Sequence, residues 1–258
     1  MDWNKYFFEE NEKPLDRFPE GISNTAIFRR IAFVGDSLSS GEFESRGKDG
    51  TKGYHDYFEY SWGQYIARKN GLTAYSFSRG GMTAEEYMNS YADANRFWQP
   101  ERACQAYVIA LGVNDILGRG QEIGSVSDID DNDWKNNKPT FAGYYAQIIQ
   151  RYKSIQPRAK FFLVMMPRED EERDVKKHDI RKLLYDLAEH FDNTYVIDLF
   201  EYGPVYDAEF KKRFMLYGHM NAMGYILTAN MVDAYIDYYI RKNPEDFIYV
   251  PYIGTDLK

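Results

Sequence analysis

One cysteine in 258 residues rules out a disulfide framework, and Cys104, set among Ala103, Ala106, Tyr107 and Val108, has the surroundings of a small buried hydrophobe. Histidine is scarce too: His55, His178, His190 and His219 stand far apart without ligand spacing, and no H-E-x-x-H is present, so no metal site is expected. Long apolar runs are missing. The longest, residues 107–111 and 161–166, fall far short of the roughly 18 apolar residues that a membrane span needs. Positive charge is in deficit, 32 Lys+Arg against 40 Asp+Glu for a net charge of −8, which would repel a nucleic-acid backbone or an anionic membrane and favours a small neutral or cationic ligand. Residues 1–8, followed by Glu9 and Glu10, lack the basic and apolar regions of a secretory signal, so a cytoplasmic location is the default expectation. There is no repeat, low-complexity tract or Pro/Gly/Ser linker. One domain over residues 30–258, with residues 1–29 as an N-terminal arm packed on it, is the economical reading. A chain of this size buries about three quarters of its unfolded surface and needs no staple.

What is present is alternation on a larger scale. Five short apolar runs, at 31–34, 72–77, 107–111, 161–166 and 195–197, are continuous and do not alternate with polar residues, which is the pattern of strands covered on both faces in a parallel sheet. Between them lie segments of helical period at 61–70, 83–96, 140–155 and 171–189, with a last one at 221–241. Asn70-Gly71 stops the first, and Thr83-Ala84-Glu85-Glu86 matches the box that starts the second. The expected fold is α/β, three layers around a central five-stranded parallel sheet. Two irregular insertions, 42–60 and 117–138, follow the first and third strands at their C-terminal ends, where open α/β sheets bind ligands. Tyr54, His55, Tyr57, Phe58 and Tyr60 in the first either form an aromatic wall of a cleft or pack over the sheet edge.

Several familiar motifs fail on spacing. Gly41 to Gly47-Lys48 has five residues between its glycines where a phosphate loop has four, and no Ser/Thr follows the lysine. Gly118 to Gly124 has one residue too many for a dinucleotide fingerprint and follows the wrong strand. Asp128, Asp130 and Asn132 start like a calcium loop, but Asp133 takes the glycine position and Pro139 the glutamate position.

The strand ends carry the chemistry. Gly35-Asp36-Ser37-Leu38 puts Ser37 just past the first strand, a nucleophile's position. After the second strand, Ser78-Arg79-Gly80-Gly81-Met82-Thr83 lets a backbone N–H approach a ligand, and after the third, Gly112-Val113-Asn114-Asp115 extends a side-chain amide over the same edge. The N–H groups of Ser37 and Gly81 with the Asn114 amide describe an oxyanion hole, each donor worth about 3–4 kcal/mol in the transition state. A serine needs a base. His178, among Lys176, Lys177 and Asp179, and His190, near a helix end, read as surface residues, whereas His219 in Gly218-His219-Met220-Asn221 lies after the fifth strand and before the last helix, on the same rim. His55 remains a candidate for substrate contact.

In this order the four segments resemble the SGNH (GDSL) hydrolase superfamily, with Ser37, Gly81, Asn114 and His219 in the places of its Ser, Gly, Asn and His, over residues 31–225. The resemblance implies a flavodoxin-like α/β/α fold, ester hydrolysis through an acyl-serine intermediate, and no cofactor. It gives Asp36 a turn-ordering role, with Asp115 in support. Two departures stand out. Ser76 replaces the asparagine that usually precedes the glycine by five residues, and Leu216 replaces the aspartate three residues before the histidine. Losing that acid can cost about 10⁴ in rate, so something else must orient His219. A backbone carbonyl near Leu216 is the first expectation, Asp207 or Glu209 folding back the second, and Asp198 is read as structural.

For a substrate, 23 tyrosines and four tryptophans favour stacking on sugar rings, although tyrosines fill cores as well, and no long apolar lid points to a lipase. The expected partner is a small ester, a short acyl group or an acetylated carbohydrate. The rival is a non-catalytic carbohydrate- or partner-binding protein on the same scaffold, favoured by Leu216. A phosphate-binding flavodoxin-like protein is the third reading, against which Asp36 puts a carboxylate where phosphate would lie.

Overall fold

The computed structural model describes residues 6–169 and 171–257, so residues 1–5 of the expected arm and residue 258 lie outside the described residues. The five apolar runs form one parallel sheet. Its strands are β1 (Arg30–Gly35), β4 (Thr73–Ser78), β5 (Ala106–Ala110), β6 (Lys160–Met165) and β7 (Thr194–Asp198), in the spatial order β4-β1-β5-β6-β7. The order reverses at β1, between β4 and β5, the switch point at which such sheets bind ligands. Alternate residues of β1 feed opposite layers: Ala32 and Val34 face one cluster, Ile31 and Phe33 the other, which is why the run has no polar alternation.

Helices cover both faces. On one face lie α5 (Phe141–Ile155) and α6 (Glu171–His190), with a segment built from α3 (Ala84–Glu86), a π turn over Tyr87–Tyr91 and α4 (Ala92–Ala94). That segment was expected as one continuous helix. On the other face lie α2 (Trp62–Asn70) and the long α9 (Ala222–Lys242), preceded in the chain by α7 (Leu199–Tyr202) and α8 (Ala208–Phe214). Among the described residues, no helix is long and apolar enough to cross a membrane.

Many tyrosines are core residues with a polar task. Tyr145, Tyr235 and Tyr239 are buried or nearly so and donate to the carbonyls of Ile109, Asp198 and Val196, which satisfies strand acceptors that packing would otherwise leave unpaired. The part of the arm from Ser23 to Asn24 joins the domain through Asp233 and Asp237 of α9.

The first insertion is not irregular. Residues 42–56 form an antiparallel hairpin, β2 (Glu42–Arg46) with β3 (Lys52–Asp56), turning through Gly47 and Gly50. Its strands escaped an apolar-pattern reading because their inward positions are carboxylates. Glu42 and Glu44 are buried while Phe43 between them is half-buried. A second small ladder, β8 (Met215–Leu216) with β9 (His219–Met220), carries His219, which was expected in a loop.

Candidate active site

Ser37 opens the four-residue helix α1 (Ser37–Ser40), capped by Asp36, whose carboxylate accepts from the Leu38 N–H at 3.0 Å. The turn before it is tight enough to demand glycine. A Cβ on Gly35 would sit 2.2 Å from Ser39 Oγ and 2.9 Å from the Ala110 carbonyl oxygen, so any side chain would push the turn off β5. Ser37 is half-buried, and its hydroxyl makes no hydrogen bond to another described residue. Gly81, at φ +71°, turns the chain after β4 in a conformation that glycine takes without strain. The N–H groups of Ser37 and Gly81 donate to no acceptor among the described residues, as an anion site requires.

Asn114 reaches the same rim but is already engaged. Its amide nitrogen donates to the Met82 carbonyl at 3.1 Å and to Asp36 Oδ2 at 3.3 Å, so a third oxygen could be held only by displacing the longer bond. The oxyanion role expected of this amide thus requires it to release Asp36. Burial pushes Asp36 up to about 7, with Asp115 and Glu42 adding to the effect and the Leu38 N–H opposing it. Asp115, pushed by burial to about 6, accepts from the Ala84 N–H at 2.7 Å and so fixes the start of α3 behind Gly81.

His219 lies beside this edge, since β9 packs against both α1 and β2. No hydrogen bond joins it to Ser37. Its Nε2 is 2.9 Å from Glu42 Oε1 and its Nδ1 is 3.8 Å from Glu44 Oε2. The Tyr54 ring meets the imidazole edge-on at 5.7 Å. The Glu42 carboxylate also fills the space over Gly80, where a Cβ would meet Oε2 at 1.9 Å. Tyr225 of α9 anchors this strand, its hydroxyl donating to the Glu42 carbonyl at 2.6 Å.

Burial lowers the His219 pKa, an effect that Glu44 and Asp56 only partly offset, and burial raises Glu42 to about 6, helped by Asp56 and Glu44. At Glu44 burial works against the charge, but the Gly218 N–H, Arg46, Lys52 and His219 together hold its pKa below the usual range. The imidazole is therefore neutral, and able to accept a proton, at lower pH than an exposed histidine. Any reaction that uses it as a base should lose rate only as pH falls through a value below 6.5. Measuring the labelling rate of Ser37 by a serine-directed phosphonate from pH 4 to 8 checks this, and a midpoint above the ordinary histidine value would contradict it.

The groups expected to orient His219 do not. Asp207 caps α8 through the Phe210 N–H and Glu209 pairs with Arg213, while the buried Nδ1 donates to no carbonyl near Leu216. Asp198 is structural, as read, bonded to Arg181 and Tyr185. His55 lies on the exposed face of the hairpin, paired with Ser45 Oγ at 2.9 Å and stacked on Tyr57. Of the aromatic insertion, Tyr57 and Tyr60 pack on Phe43 of the hairpin, while Tyr54 stands at the imidazole. His178 is exposed against Phe200, and His190 pairs with Asp131. The Cys104 thiol is buried and raised to about 12 by that burial, which makes it unreactive. Asp128 is spent on Ser125, Thr140 and Lys138. Sequence reasoning missed Glu42 and Glu44. Their signal was a carboxylate at i and i+2 beside the Asp49-Gly50 turn pair.

The model of the GDSL-like lipase/acylhydrolase family matches residues 33–227. No curated protein matches the chain in sequence. Among solved structures, a family two carbohydrate esterase from Clostridium thermocellum, in complex with cellohexaose, superposes with TM-score 0.57 at 16% identity over 88% of this chain and 66% of that one. The chain thus spans slightly under two thirds of that esterase. A putative lipolytic protein of the G-D-S-L family from Desulfitobacterium hafniense gives 0.52 at 13% identity, covering 80% of this chain and 98% of the other. A family three carbohydrate esterase from Talaromyces cellulolyticus gives 0.53 at 11%, covering 83% and 98%. At such identities these likenesses concern the fold.

Proposed function

Because the chain belongs to the GDSL-like lipase/acylhydrolase family, we propose that it is a serine ester hydrolase that cleaves short acyl esters, O-acetyl groups on carbohydrate foremost, through an acyl-serine intermediate. The observation that carries this reading is the pair of unspent N–H groups of Ser37 and Gly81 beside an unbonded serine hydroxyl at the switch point of the sheet. His219 takes the Ser37 proton as Oγ attacks the ester carbonyl, and the two N–H groups, joined by Asn114 once it releases Asp36, hold the oxyanion. The imidazolium then protonates the leaving alcohol, and water attacks the acyl-enzyme with His219 again as base.

Two features favour a small acyl group on a sugar. The partly open, mainly apolar pocket behind the serine turn, lined by Leu38, Val113, Met166 and Pro167 among others, holds only about 60 Å³. Beside the imidazole, the Tyr54 ring is more than half exposed, a flat surface of the kind on which a sugar ring stacks. Nitrophenyl acetate should therefore be cleaved at least about tenfold faster, by kcat/KM, than nitrophenyl octanoate, since badly placed methylenes cost about 1–3 kcal/mol. A preference for the octanoate would refute the short-acyl assignment.

One observation favours a binder on the same scaffold: Nε2 faces Glu42 and makes no bond to Ser37. Labelling of Ser37 by a fluorophosphonate, read by intact mass, separates the two readings without knowledge of the natural ester. A labelled wild type supports the hydrolase, and an unlabelled one the binder.

A further inference from the structure

Leu216, where an orienting acid would stand, has a side chain 39% exposed and no charge to offer. The turn that it begins is held from elsewhere in the chain. Tyr217 adopts φ +58°, a left-handed conformation costly for a tyrosine, and two contacts from β2 over-determine it. Arg46 lies 4.8 Å over the Tyr217 ring, and the Gly218 N–H donates to Glu44 Oε2 at 3.0 Å. Arg46 also pairs with Glu44 Oε1 at 2.6 Å. The carboxylate is thus fixed on two sides, and its Oε2 points at the imidazole Nδ1 3.8 Å away, a nitrogen that is buried and has no hydrogen-bond partner.

We propose that Glu44 is the positioning carboxylate of His219, supplied by the β2–β3 hairpin in place of the missing acid at Leu216. This rests on the hydrolase reading for its catalytic meaning, though not for its geometry. The chemistry separates Glu44 from its neighbour. A carboxylate at Nδ1 favours the tautomer with its proton there, leaving the Nε2 lone pair to accept the Ser37 proton, and stabilises the imidazolium that follows. Glu42, at Nε2, favours the opposite tautomer and occupies the approach that Ser37 Oγ must use, so its contact has to open before the reaction. The groups that face the ring are Glu42, Glu44, Asp56 and Tyr54.

The test is a nitrogen-15 histidine spectrum of the full chain, with His219 assigned by its loss in His219→Gln, followed through a pH titration in wild type, Glu44→Gln, Glu44→Asp and Glu42→Gln. Glu44→Gln should lower the His219 pKa further and reduce the share of the neutral ring that is protonated at Nδ1. Glu42→Gln, by removing the carboxylate at Nε2, should raise the share protonated at Nδ1. In ester hydrolysis, Glu44→Gln should lower kcat by about 10²–10⁴ with little change in KM, and Glu44→Asp should recover part of the loss. If Glu44→Gln does not fold, Glu44→Asp reads the same contact, since drawing the carboxylate back must shift the His219 titration. Overturning results are a His219 tautomer balance and titration unchanged in the Glu44 variants, or a neutral ring whose proton moves toward Nε2 in Glu42→Gln. Should Glu44→Gln shift the tautomer while wild type neither hydrolyses esters nor labels, the positioning contact is upheld and the hydrolase reading falls.

Discussion

Ser37→Ala is expected to abolish phosphonate labelling and to lower ester hydrolysis by about 10⁴–10⁶, the range seen when a nucleophile is lost from a unit that acts together. It should do so with the fold intact. The Ser37 hydroxyl makes no hydrogen bond to the described residues and the residue is only half-buried, so truncation strands no partner and opens no sealed cavity. Asp36, not Ser37, caps α1, which leaves the turn supported in the variant. His219→Gln should cost a comparable amount, and the double variant little more than either single one, because a serine without its base and a base without its serine are the same loss. Intact mass after phosphonate treatment, burst kinetics with a nitrophenyl ester and a thermal melt decide it. A Ser37→Ala protein that is still labelled or still turns over would assign the nucleophile elsewhere.

The second large effect concerns stability. Asp233 in α9 is fully buried and binds three groups from two other parts of the chain: Lys69 Nζ at 2.8 Å and Asn70 Nδ2 at 2.9 Å from α2, and Ser23 Oγ at 2.7 Å from the arm. Removing the acceptor leaves the Asn70 Nδ2 without a partner and a largely buried ammonium with only the Pro19 carbonyl and no counter-charge, while Ser23 keeps Asn70 Oδ1, a change that costs about 3–5 kcal/mol. Asp233→Ala should therefore lower the melting temperature by about 10 °C, as chains of this length lose roughly 2–4 °C per kcal/mol. Lys69→Met together with Asp233→Leu should recover much of that, since an apolar pair of similar volume often replaces a buried ion pair without loss. A single Asp233→Ala that melts with wild type would show that the cluster only decorates the α2–α9 contact.

The parts of the fold legible in the sequence were those that the hydrophobic effect writes locally. Each of the five sheet strands was found within about two residues of its ends, because a strand covered on both faces must be apolar without interruption. The hairpin was not found, because it covers polar groups. Its buried side is Glu42 and Glu44, which an apolar pattern reads as surface, and only Asp49-Gly50 announced the turn. The π turn at Tyr87–Tyr91 left no mark either, since one extra residue in a helix shifts its period without changing its composition.

Of the candidate site, chain order was enough to bring Ser37, Gly81 and Asn114 to one rim, because in a parallel sheet every strand delivers its following residue to the same edge, whereas His219 comes from the separate β8–β9 ladder. Their partners were decided only in three dimensions. That the Asn114 amide is spent on Asp36 and Met82, and that His219 lies between two glutamates from the opposite end of the chain, depends on distances that no local pattern encodes. Hydrogen bonds and charge pairs act over a few ångströms between residues brought together by folding, whereas burial acts on every residue where it stands. The sequence alone therefore determined the scaffold and which candidate residues follow its strands, and the tertiary structure decided which partners each of them meets.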